Sequence, residues 1–583
     1  MTRPLDHLPR SPGLNRGVWA LGLLGLLASP GCGQKRLPQA ETATTTEPAG
    51  AQKRTPELSK DKATEPAPAE GLGRPVSLAL IDVSKEQVPE VCRGDGELPS
   101  DVKGLTKLAL DHFGGVAALH WDDDSGLDLV FAAPGLKEPC VLIRKDAKAF
   151  ERSEVVPDGP LPKYIAGALA SDSAEGPQVV LLGLGSLVRW ARSSQGIWSA
   201  RSLPLPEVGG EPWVAGLLDI AAIGGKGALL AIGSWIPKLG FSCLNSAGNP
   251  RDCPRWAMGP GLVQLLEPGK GSPEDFRESP IWPGVPAAML ASAFSFGSNP
   301  GVLVTDLSGY DRLYIFTRKP SVKESAWDRG LAAGLVSASH ESRGADLGDV
   351  NNDGFADVVV ATALDGIRLY LANDTGRFFD RSVKAGLLRQ TGARSLFGLL
   401  LEDLDADGDP DIAVCGDGEN GESGLQVYVN EGGNFSRAAS GVPQIPPCRG
   451  LAAGDLDGDG DVDLAIGLRG GGVRVIRNDA PAPAWRRVLR PVREGVPSPY
   501  TGSRIQIRWS DRRAQVAESR RIRGYLSSSD PVVRFVRRDE LPEKAPILTA
   551  QSPGGSELQV PWPEDVVTGA RVSVPAPTRR DSP

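Results

Sequence analysis

The amino-acid sequence predicts an all-β protein, a seven-bladed β-propeller followed by a small β domain. Three observations favour this fold class. Gly (71) and Pro (50) are abundant among the 583 residues, a composition rich in turns. A unit of roughly 45–55 residues occurs seven times, and a period of that size indicates a repeat architecture. In the clearest units, two short apolar β runs flank an acidic tight loop.

Each repeat is recognised by a first strand, a second apolar strand and a closing aromatic residue. One interval, near residues 235–300, is longer than the others. Because one unit cannot bury both of its faces alone, radial packing of seven units is the simplest arrangement. The first strands begin at Gly114, Tyr164, Pro212, Pro300, Ser342, Leu396 and Cys448. The closing aromatic residues are Phe150, Trp198, Phe276, Trp327, Phe379, Phe435 and Trp485.

Residues 1–32 are predicted to be a signal peptide with a lipobox-like end. Arginines precede an apolar run at residues 18–28, which is well below the ~20 residues that a transmembrane helix needs. Cys32 follows Gly31, as in a bacterial lipobox, whereas the Ser29-Pro30 pair is atypical. Lipidation of Cys32 is the expectation, and plain signal cleavage nearby is the competing interpretation.

The remaining chain divides into three parts. Residues 33–75 are rich in Pro, Ala, Thr and Glu without apolar periodicity, which predicts a disordered linker. The propeller is expected over residues 76–483 and the small β domain over 484–583. In that domain, residues 504–513 alternate apolar and basic side chains, the period of a half-buried strand. Its basic face is expected to bind an anionic glycan or the acidic propeller, unless it is only a soluble surface.

The charge distribution argues against nucleic acid as the main partner. Net charge is −8, but residues 481–583 contain 18 Lys and Arg against 11 Asp and Glu. This end therefore has a surplus of seven positive charges, and the rest of the chain carries −15. Phosphate binding needs a dominant basic face, which an acidic body does not offer.

Seven cysteines are present, and Cys32 belongs to the signal region. No C-x-x-C pair occurs and the chain has only four His, which argues against a zinc site. An even number of cysteines in an exported protein predicts up to three disulfides, with buried free thiols as the alternative. By position, the candidate pairs are Cys92 with Cys140, Cys243 with Cys253, and Cys415 with Cys448.

Three repeats carry a tight Asp series between their first two strands. Oxygen atoms at positions 1, 3, 5 and 9 point inward when Gly at position 6 lets the backbone turn sharply, and the carbonyl of position 7 can add a ligand. Such a cage suits Ca²⁺, which accepts roughly six to eight flexible oxygen ligands, better than Mg²⁺. The predicted ligands are Asp349, Asn351, Asp353, Phe355 and Asp357; Asp403, Asp405, Asp407, Asp409 and Asp411; and Asp455, Asp457, Asp459, Asp461 and Asp463.

An EF-hand is excluded, because position 12 is Val360, Val414 or Ile466 in an apolar β run instead of Glu. A solvated acidic turn without metal is the competing interpretation, although clustered carboxylates repel one another when empty. Three Ca²⁺ sites are therefore predicted. A fourth candidate is the degenerate loop at residues 120–126, which lacks the first acid, and the loop at 306–311 is one residue short.

The repeats resemble the FG-GAP or VCBS repeats of integrin α-chain propellers and of bacterial surface proteins, over residues 110–480. This resemblance implies calcium at the Asp series. Residues 485–574 resemble the ASPIC/UnbV domain that follows such propellers in the cartilage-acidic-protein-like family. The marks are TGSRIQI at 501–507, GYLSSSDP at 524–531, which is the most specific, and LQVPWP at 558–563. The stretch GVPSPY departs from the family pattern.

Binding without catalysis is the expected function: an exported, lipid-anchored scaffold or adhesion module, facing the periplasm or the cell surface, for a protein or glycan ligand. The alternative is an extracytoplasmic enzyme acting on polysaccharide or phospholipid, with the propeller as its scaffold. Catalysis would need a nucleophile with a base, or an acid–base pair, in a cleft. No nucleophile-elbow motif is found, and the predicted metal loops already use the clustered acids. A separate Asp/Glu pair of the glycosidase type remains compatible with the sequence.

Overall fold

Thirty-eight β-strands in nine small, mostly antiparallel sheets make up the described part of the computed structural model. That part comprises residues 74–80, residues 113–203 and 342–574 with short gaps, and separate strand segments between 216 and 335. It lies within one unit of the chain, Ala67–Pro583. The fold is all-β, consistent with the predicted β-propeller. Within the described residues, no helix has the length and apolarity needed to cross a membrane.

The strands are numbered in chain order from β1 (Leu78–Leu80), and consecutive strands pair in most of the sheets. The first two such sheets contain β2 (Gly115–Leu119), β3 (Asp128–Ala132), β4 (Cys140–Asp146) and β5 (Ala149–Arg152), then β6 (Lys163–Ser173), β7 (Gly176–Leu184), β8 (Leu187–Arg192) and β9 (Trp198–Leu203). The next two contain β10 (Gly216–Leu218), β11 (Leu229–Gly233), β12 (Leu262–Pro268), β13 (Phe276–Glu278) and β14 (Val285–Pro286), then β15 (Leu290–Phe296), β16 (Asn299–Thr305), β17 (Arg312–Ile315) and β18 (Trp327–Asp328).

Three further sheets follow in the second half of the repeat region. The first two contain β19 (Ser342–Gly348), β20 (Asp357–Thr362), β21 (Ile367–Ala372) and β22 (Phe378–Asp380), then β23 (Leu396–Glu402), β24 (Asp411–Gly416), β25 (Leu425–Glu431) and β26 (Asn434–Arg437). The third contains β27 (Cys448–Gly454), β28 (Asp463–Leu468) and β29 (Val473–Asn478), with β1 as its fourth strand.

Burial decreases from the first to the last strand of these sheets. β19 and β20 are buried along almost their whole length, β21 alternates, and β22 exposes two of its three residues. Where sheets pack face to face around an axis, the inner strands are covered on both faces. This explains the runs of Ala, Val, Leu and Ile in the first and second strands. The core lies between neighbouring sheets: Val116 and Leu129 of the first sheet pack with Ala465 and Val475 of the last. The first and last sheets of the repeat region therefore contact each other, although they are far apart in the chain.

Neighbouring first strands approach one another closely at glycines. β2 contacts both β6 and β27, and β23 contacts both β19 and β27. A Cβ atom at Gly344 would lie 2.1 Å from the carbonyl oxygen of Phe397, and one at Gly398 would lie 2.5 Å from that of Arg449. No side chain fits at these points, so the glycines permit the spacing of the first strands.

The fourth repeat differs from its sequence prediction. Pro300 was expected to begin a first strand, but it lies in β16, the second strand of its sheet. The first strand is β15, which falls within the interval that the sequence suggested was an insertion. No Asp series follows its sequence, LASAFSF, so the pattern that marks the later repeats is absent there.

The end of the seventh repeat also differs. Trp485 was expected to close it, but Trp485 begins a strand of another sheet. The edge position is taken by β1, which pairs antiparallel with β29 through Leu78 opposite Asn478. The backbone N–H of Val76 donates to the carbonyl of Ser440 at 3.1 Å. Residues about 400 apart in the chain therefore complete this sheet, and no local sequence signal marks that pairing.

Two sheets after the repeats share a separate core, and we call them the C-terminal sheets. Leu489, Ile505, Trp509, Phe535 and Val572 are among its buried residues. One sheet contains β30 (Trp485–Arg493), β35 (Val533–Arg537) and β38 (Ala570–Val574), and the other contains β31 (Arg504–Arg508), β32 (Ala514–Glu518), β36 (Ile547–Gln551) and β37 (Glu557–Gln559).

A buried segment, residues 519–531, leaves the C-terminal sheets and lies between the first strands of the repeat sheets; we call it the axial segment. It contains β33 (Ile522–Arg523) and β34 (Ser527–Ser528). β34 pairs in parallel with β2, and the two short strands together contact β2, β6, β10, β15, β19 and β27. The string GYLSSSDP, the most specific mark of the C-terminal region, therefore lies where the first strands converge.

Three consecutive serines hold the axial segment to three different sheets. The backbone N–H of Val116 donates to Ser527 Oγ at 3.2 Å. In the same way, the N–H of Ala170 donates to Ser528 Oγ at 2.8 Å, and the N–H of Ala453 to Ser529 Oγ at 3.0 Å. Backbone donors that the first strands cannot pair within their own sheets are satisfied by these hydroxyl groups.

The predicted disulfide between neighbouring repeats is present. Cys415 of β24 and Cys448 of β27 are bonded, with their Cα atoms 5.2 Å apart, and both are fully buried. Closing a loop of this length stabilises the fold by about 4 kcal/mol in the chain-entropy model. Cys140 is also disulfide-bonded. Cys32, Cys92, Cys243 and Cys253 lie outside the described residues.

We expect Gly344→Ala to lower the free energy of unfolding by about 2 kcal/mol, because its Cβ would overlap the backbone of β23. Gly348→Ala, in the same strand, is the control: its Cβ would meet only the movable end of Leu401 at 3.1 Å. Urea-induced unfolding measures both. Equal midpoints for the two variants would contradict the steric role of Gly344.

Candidate metal centre

Three Asp loops connect first and second strands, as the sequence predicts: loop A (349–357), loop B (403–411) and loop C (455–463). Their backbones share one conformation. Position 6 has φ near +90° in each loop, namely Gly354, Gly408 and Gly460. Position 4 is also left-handed, at Asn352 (55°), Ala406 (59°) and Gly458 (87°). The glycine at position 6 was anticipated; the second left-handed residue was not, because position 4 has a different residue in each loop and Ala406 carries no turn signal.

Carboxylates hold each loop in this conformation by accepting its backbone N–H groups. Asp349 accepts from Asp353 at 2.9 Å and from Gly354 at 2.8 Å. Asp353 in turn accepts from the N–H of Phe355 at 2.9 Å. Loop B repeats this pattern, and loop C differs only in that Asp455 accepts from position 4 in place of position 5. The side chains at positions 1 and 5 thus face the inside of the turn.

The aspartate at position 9 links the loop to the third strand of its sheet. Asp357 is fully buried and accepts from the N–H of Val350 at 3.0 Å and of Ala372 at 2.8 Å. Asp411 and Asp463 are also fully buried and make the equivalent pairs of bonds. Asp463 Oδ2 also accepts from the N–H of Asp457 at 3.2 Å, but at least one oxygen of each position 9 aspartate keeps a second lone pair and can bind a cation.

Asp128 shows that position 9 also has a purely structural role. It accepts from Trp121 at 2.7 Å and from Arg144 at 2.9 Å, although its loop lacks the full Asp series. Within that fourth candidate loop, Asp122 and Asp124 accept N–H groups of their own turn. The sequence pattern assigned position 9 to metal binding alone and missed this second role.

Loops B and C bring acidic oxygen atoms together closely enough to hold one ion. In loop B, one oxygen each of Asp403, Asp405 and Asp411 lie within 4.8 Å of one another, and Asp455, Asp457 and Asp463 do the same in loop C. Among the described residues, loop A does not supply a third acidic oxygen within that distance; its position 3 is Asn351.

Electrostatics favours a cation in these loops. Burial, with repulsion between neighbouring carboxylates, raises the pKa of Asp349 to about 7 and the pKa values of Asp357 and Asp403 to about 8. Burial likewise raises the pKa values of Asp411 and Asp463 well above the usual range of an Asp carboxyl. A bound cation would offset the cost of keeping these groups ionised.

Asp405 provides the sharpest test of whether the loops fit a cation. Its side chain is only 5% exposed, and neither carboxylate oxygen accepts a hydrogen bond. The guanidinium Nη2 atom of Arg538 lies 3.2 Å from Oδ1 without hydrogen-bond geometry. Arg538 therefore pairs with Oδ1, whereas Oδ2 is buried without a partner, which is costly unless a further cation satisfies it. The donor set consists of oxygen atoms, which fit a hard cation.

The side chains at position 7 turn away from their loops. Asp409 accepts from Asn352 of loop A and, at 2.8 Å, from the N–H of Gly432. Asp461 pairs with Arg486. Phe355 packs against the core beside β20. Only the backbone carbonyls of these three residues therefore remain as candidate ligands, as the sequence interpretation assumed.

Several residues that follow the repeats contact the Asp loops, and the sequence did not predict these contacts individually. Arg504 donates to the carbonyl of Gly354 in loop A. Gln515 donates to the carbonyl of Gly408 at 3.0 Å, and Arg538 to that of Ala406 at 3.1 Å, both in loop B. Arg486 contacts the carbonyl of Asp459 in loop C at 3.4 Å. The only sequence signal was the basic alternation in residues 504–513, and of the four residues only Arg504 belongs to it.

The short loop at 306–311 is placed differently from its prediction. It follows β16 and precedes β17, so it joins the second and third strands of its sheet instead of the first and second. Residues 306–310 lie outside the described part of the chain. Asp311 is buried and accepts from the hydroxyl of Ser342 at 3.0 Å.

Comparison with known proteins identifies the repeat. Residues 403–466, which include loop B and all of loop C, match the model of an FG-GAP-like repeat. No curated protein matches the chain. Among solved structures, the crystal structure of BBS1N in complex with ARL6DN, soaked with mercury, is 14% identical with a TM-score of 0.38. That match covers 63% of this chain and 96% of the other.

Proposed function

We propose that the chain is a calcium-binding, seven-bladed β-propeller that acts as a non-catalytic scaffold for a protein or glycan ligand. The FG-GAP-like repeat supports a propeller-type binding scaffold. Seven sheets contain the strands of the repeat region, one for each sequence unit, which supports seven blades. The C-terminal sheets correspond to the segment that resembles an ASPIC/UnbV domain.

Asp405 is the observation that carries calcium binding. Its buried carboxylate accepts no hydrogen bond, and it lies within ion-binding distance of Asp403 and Asp411. Calcium suits this donor set better than magnesium, because magnesium requires near-octahedral geometry and retains several waters. Loop A, with Asp349, Asn351, Asp353 and Asp357, has the same backbone conformation and completes a set of three sites.

We expect the purified protein to bind three Ca²⁺ ions and Asp405→Asn to weaken one of them at least tenfold. Asp405 accepts no hydrogen bond of good geometry, so the substitution removes mainly its negative charge and with it the ion pair to Arg538. A site with a Kd of about 10 µM in about 1 mM Ca²⁺ would add about 2.7 kcal/mol of stability. Calorimetry and native mass spectrometry measure the stoichiometry. Asp374→Asn, at an exposed position in another turn, is the control. Absence of bound Ca²⁺ in the wild type would refute the assignment.

We also propose that the chain is exported and anchored by lipid at Cys32, facing the periplasm or the cell surface. The support is the short apolar run that ends at Gly31-Cys32. The Cys415–Cys448 disulfide is compatible with an oxidising compartment. A linker at residues 33–75 would then hold the folded part away from the membrane by roughly 35 Å on average.

We expect Cys32→Ala to move the protein out of the membrane fraction or to leave an uncleaved precursor, because the lipidated thiol is lost. Fractionation and intact-mass measurement check both outcomes. Ala28→Gly, in the same signal segment, is the matched control and should behave like the wild type. Identical fractionation and mass for Cys32→Ala and the wild type would exclude lipidation.

We expect the full chain to bind a macromolecular ligand and to turn over no substrate. Preformed loops on a rigid β scaffold suit recognition. Glycan and protein binding screens, run beside hydrolase and lyase assays on polysaccharide and phospholipid, test both parts. Turnover that survives purification, and that is lost on mutating one acid outside loops A to C, would establish the enzyme alternative.

A further inference from the structure

We infer that Ca²⁺ binding in the Asp loops and docking of the C-terminal sheets stabilise each other. This inference rests on the proposed calcium sites and adds a regulatory property to them. The C-terminal sheets hold loops A, B and C through Arg504, Arg538 and Arg486, one arginine for each loop. Each loop would thus bind a metal ion and also form part of the surface on which the C-terminal sheets dock.

The contacts depend on the backbone conformation of the loops. Arg504 and Gln515 donate to carbonyls at position 6, Gly354 and Gly408, and Arg538 donates to Ala406 at position 4. Positions 4 and 6 are the two left-handed residues of each loop. Backbone dihedral angles set the direction of a carbonyl, so these acceptors face the C-terminal sheets only while the loop keeps this turn.

A cation would use a different set of atoms in the same turn. The candidate ligands are mainly carboxylates at positions 1, 3, 5 and 9, whereas most of the cationic contacts end on carbonyls. The main overlaps are Arg538 near Asp405 and Arg486 on Asp461. In loop B, five Asp carboxylates with one divalent cation still leave three negative charges, so Arg538 remains attracted. Both partners therefore favour one loop conformation, which is positive coupling.

The coupling would extend to the centre of the repeat region. The axial segment begins directly after β32 and ends directly before β35, both in the C-terminal sheets. Its serines bond the first strands β2, β6 and β27. Loss of the contacts between the loops and the C-terminal sheets should therefore also weaken the hydrogen bonds of the axial segment. Metal binding at the loops would in this way stabilise the packing of the first strands.

The test compares two double variants of the full chain. Arg504→Ala with Arg538→Ala removes contacts to loops A and B. Arg508→Ala with Arg571→Ala is the matched control, because both arginines are exposed in the C-terminal sheets, and Arg508 bonds only Gln506. Calorimetry measures Ca²⁺ affinity, and hydrogen–deuterium exchange of residues 504–518 measures docking with and without Ca²⁺.

We expect the first double variant to bind Ca²⁺ about tenfold more weakly than the control, and to lose the roughly tenfold slowing of exchange that Ca²⁺ produces in the wild type. The single variant Arg504→Ala should weaken one of the three sites, which general misfolding would not do. Unchanged affinity and exchange protection would overturn the coupling and leave the calcium sites intact. Absence of Ca²⁺ binding in every form, the wild type included, would instead refute the calcium assignment and the coupling with it.

Discussion

Close convergence of the first strands on one axis is the constraint on which the rest of the structure depends. At their closest points the strands cannot carry side chains: a Cβ atom at Gly115 would lie 2.0 Å from the carbonyl oxygen of Leu526, and one at Gly450 would lie 2.5 Å from Ser527 Oγ. The partner that fills the axis must therefore offer small polar side chains, and Ser527 to Ser529 do so. The C-terminal sheets and the repeats have separate cores but share this axis.

The axial segment also brings buried arginines against acidic side chains of the first strands. Arg523 is buried and donates to both Asp346 and Glu402, and Arg520 donates to Asp346 at 2.8 Å. Burial alone would raise the pKa of Asp346, but Arg520 and Arg523 hold it below the usual range. Removing one member of such a network leaves an uncompensated buried charge, which is strongly destabilising, whereas the intact network adds little net stability. Its benefit is specificity, because the ion pairs of Asp346 and Glu402 with Arg520 and Arg523 require one alignment of the axial segment.

Local patterns in the sequence predicted local structure well. Loops A to C were located from the spacing of Asp and Gly, because the ligands of one turn lie within nine residues. The disulfide Cys415–Cys448 followed from the order of neighbouring repeats and is confirmed. The pairing of β1 with β29 was missed, because its residues lie about 400 positions apart and β1 has no distinctive pattern. The first strand of the fourth repeat was misplaced for a related reason, since no Asp series marks its end.

Of the arginines that hold the Asp loops, Arg504 lies in the basic face that the sequence predicted, whereas Arg486 and Arg538 lie outside it. Their acceptors are backbone carbonyls, which no side-chain pattern reveals. Because the acceptors are backbone carbonyls, loops that differ in their number of acidic side chains can make the same contact. Loop A has Asn351 and Phe355 where loop B has Asp405 and Asp409, yet each receives an arginine from the C-terminal sheets. Recognition of the turn leaves side chains free to vary in charge, provided that positions 4 and 6 keep their left-handed conformation. A planar guanidinium with several fixed donors suits this task better than the single ammonium of lysine, since it can reach a carbonyl and a carboxylate of one loop together, as Arg538 and Arg486 do.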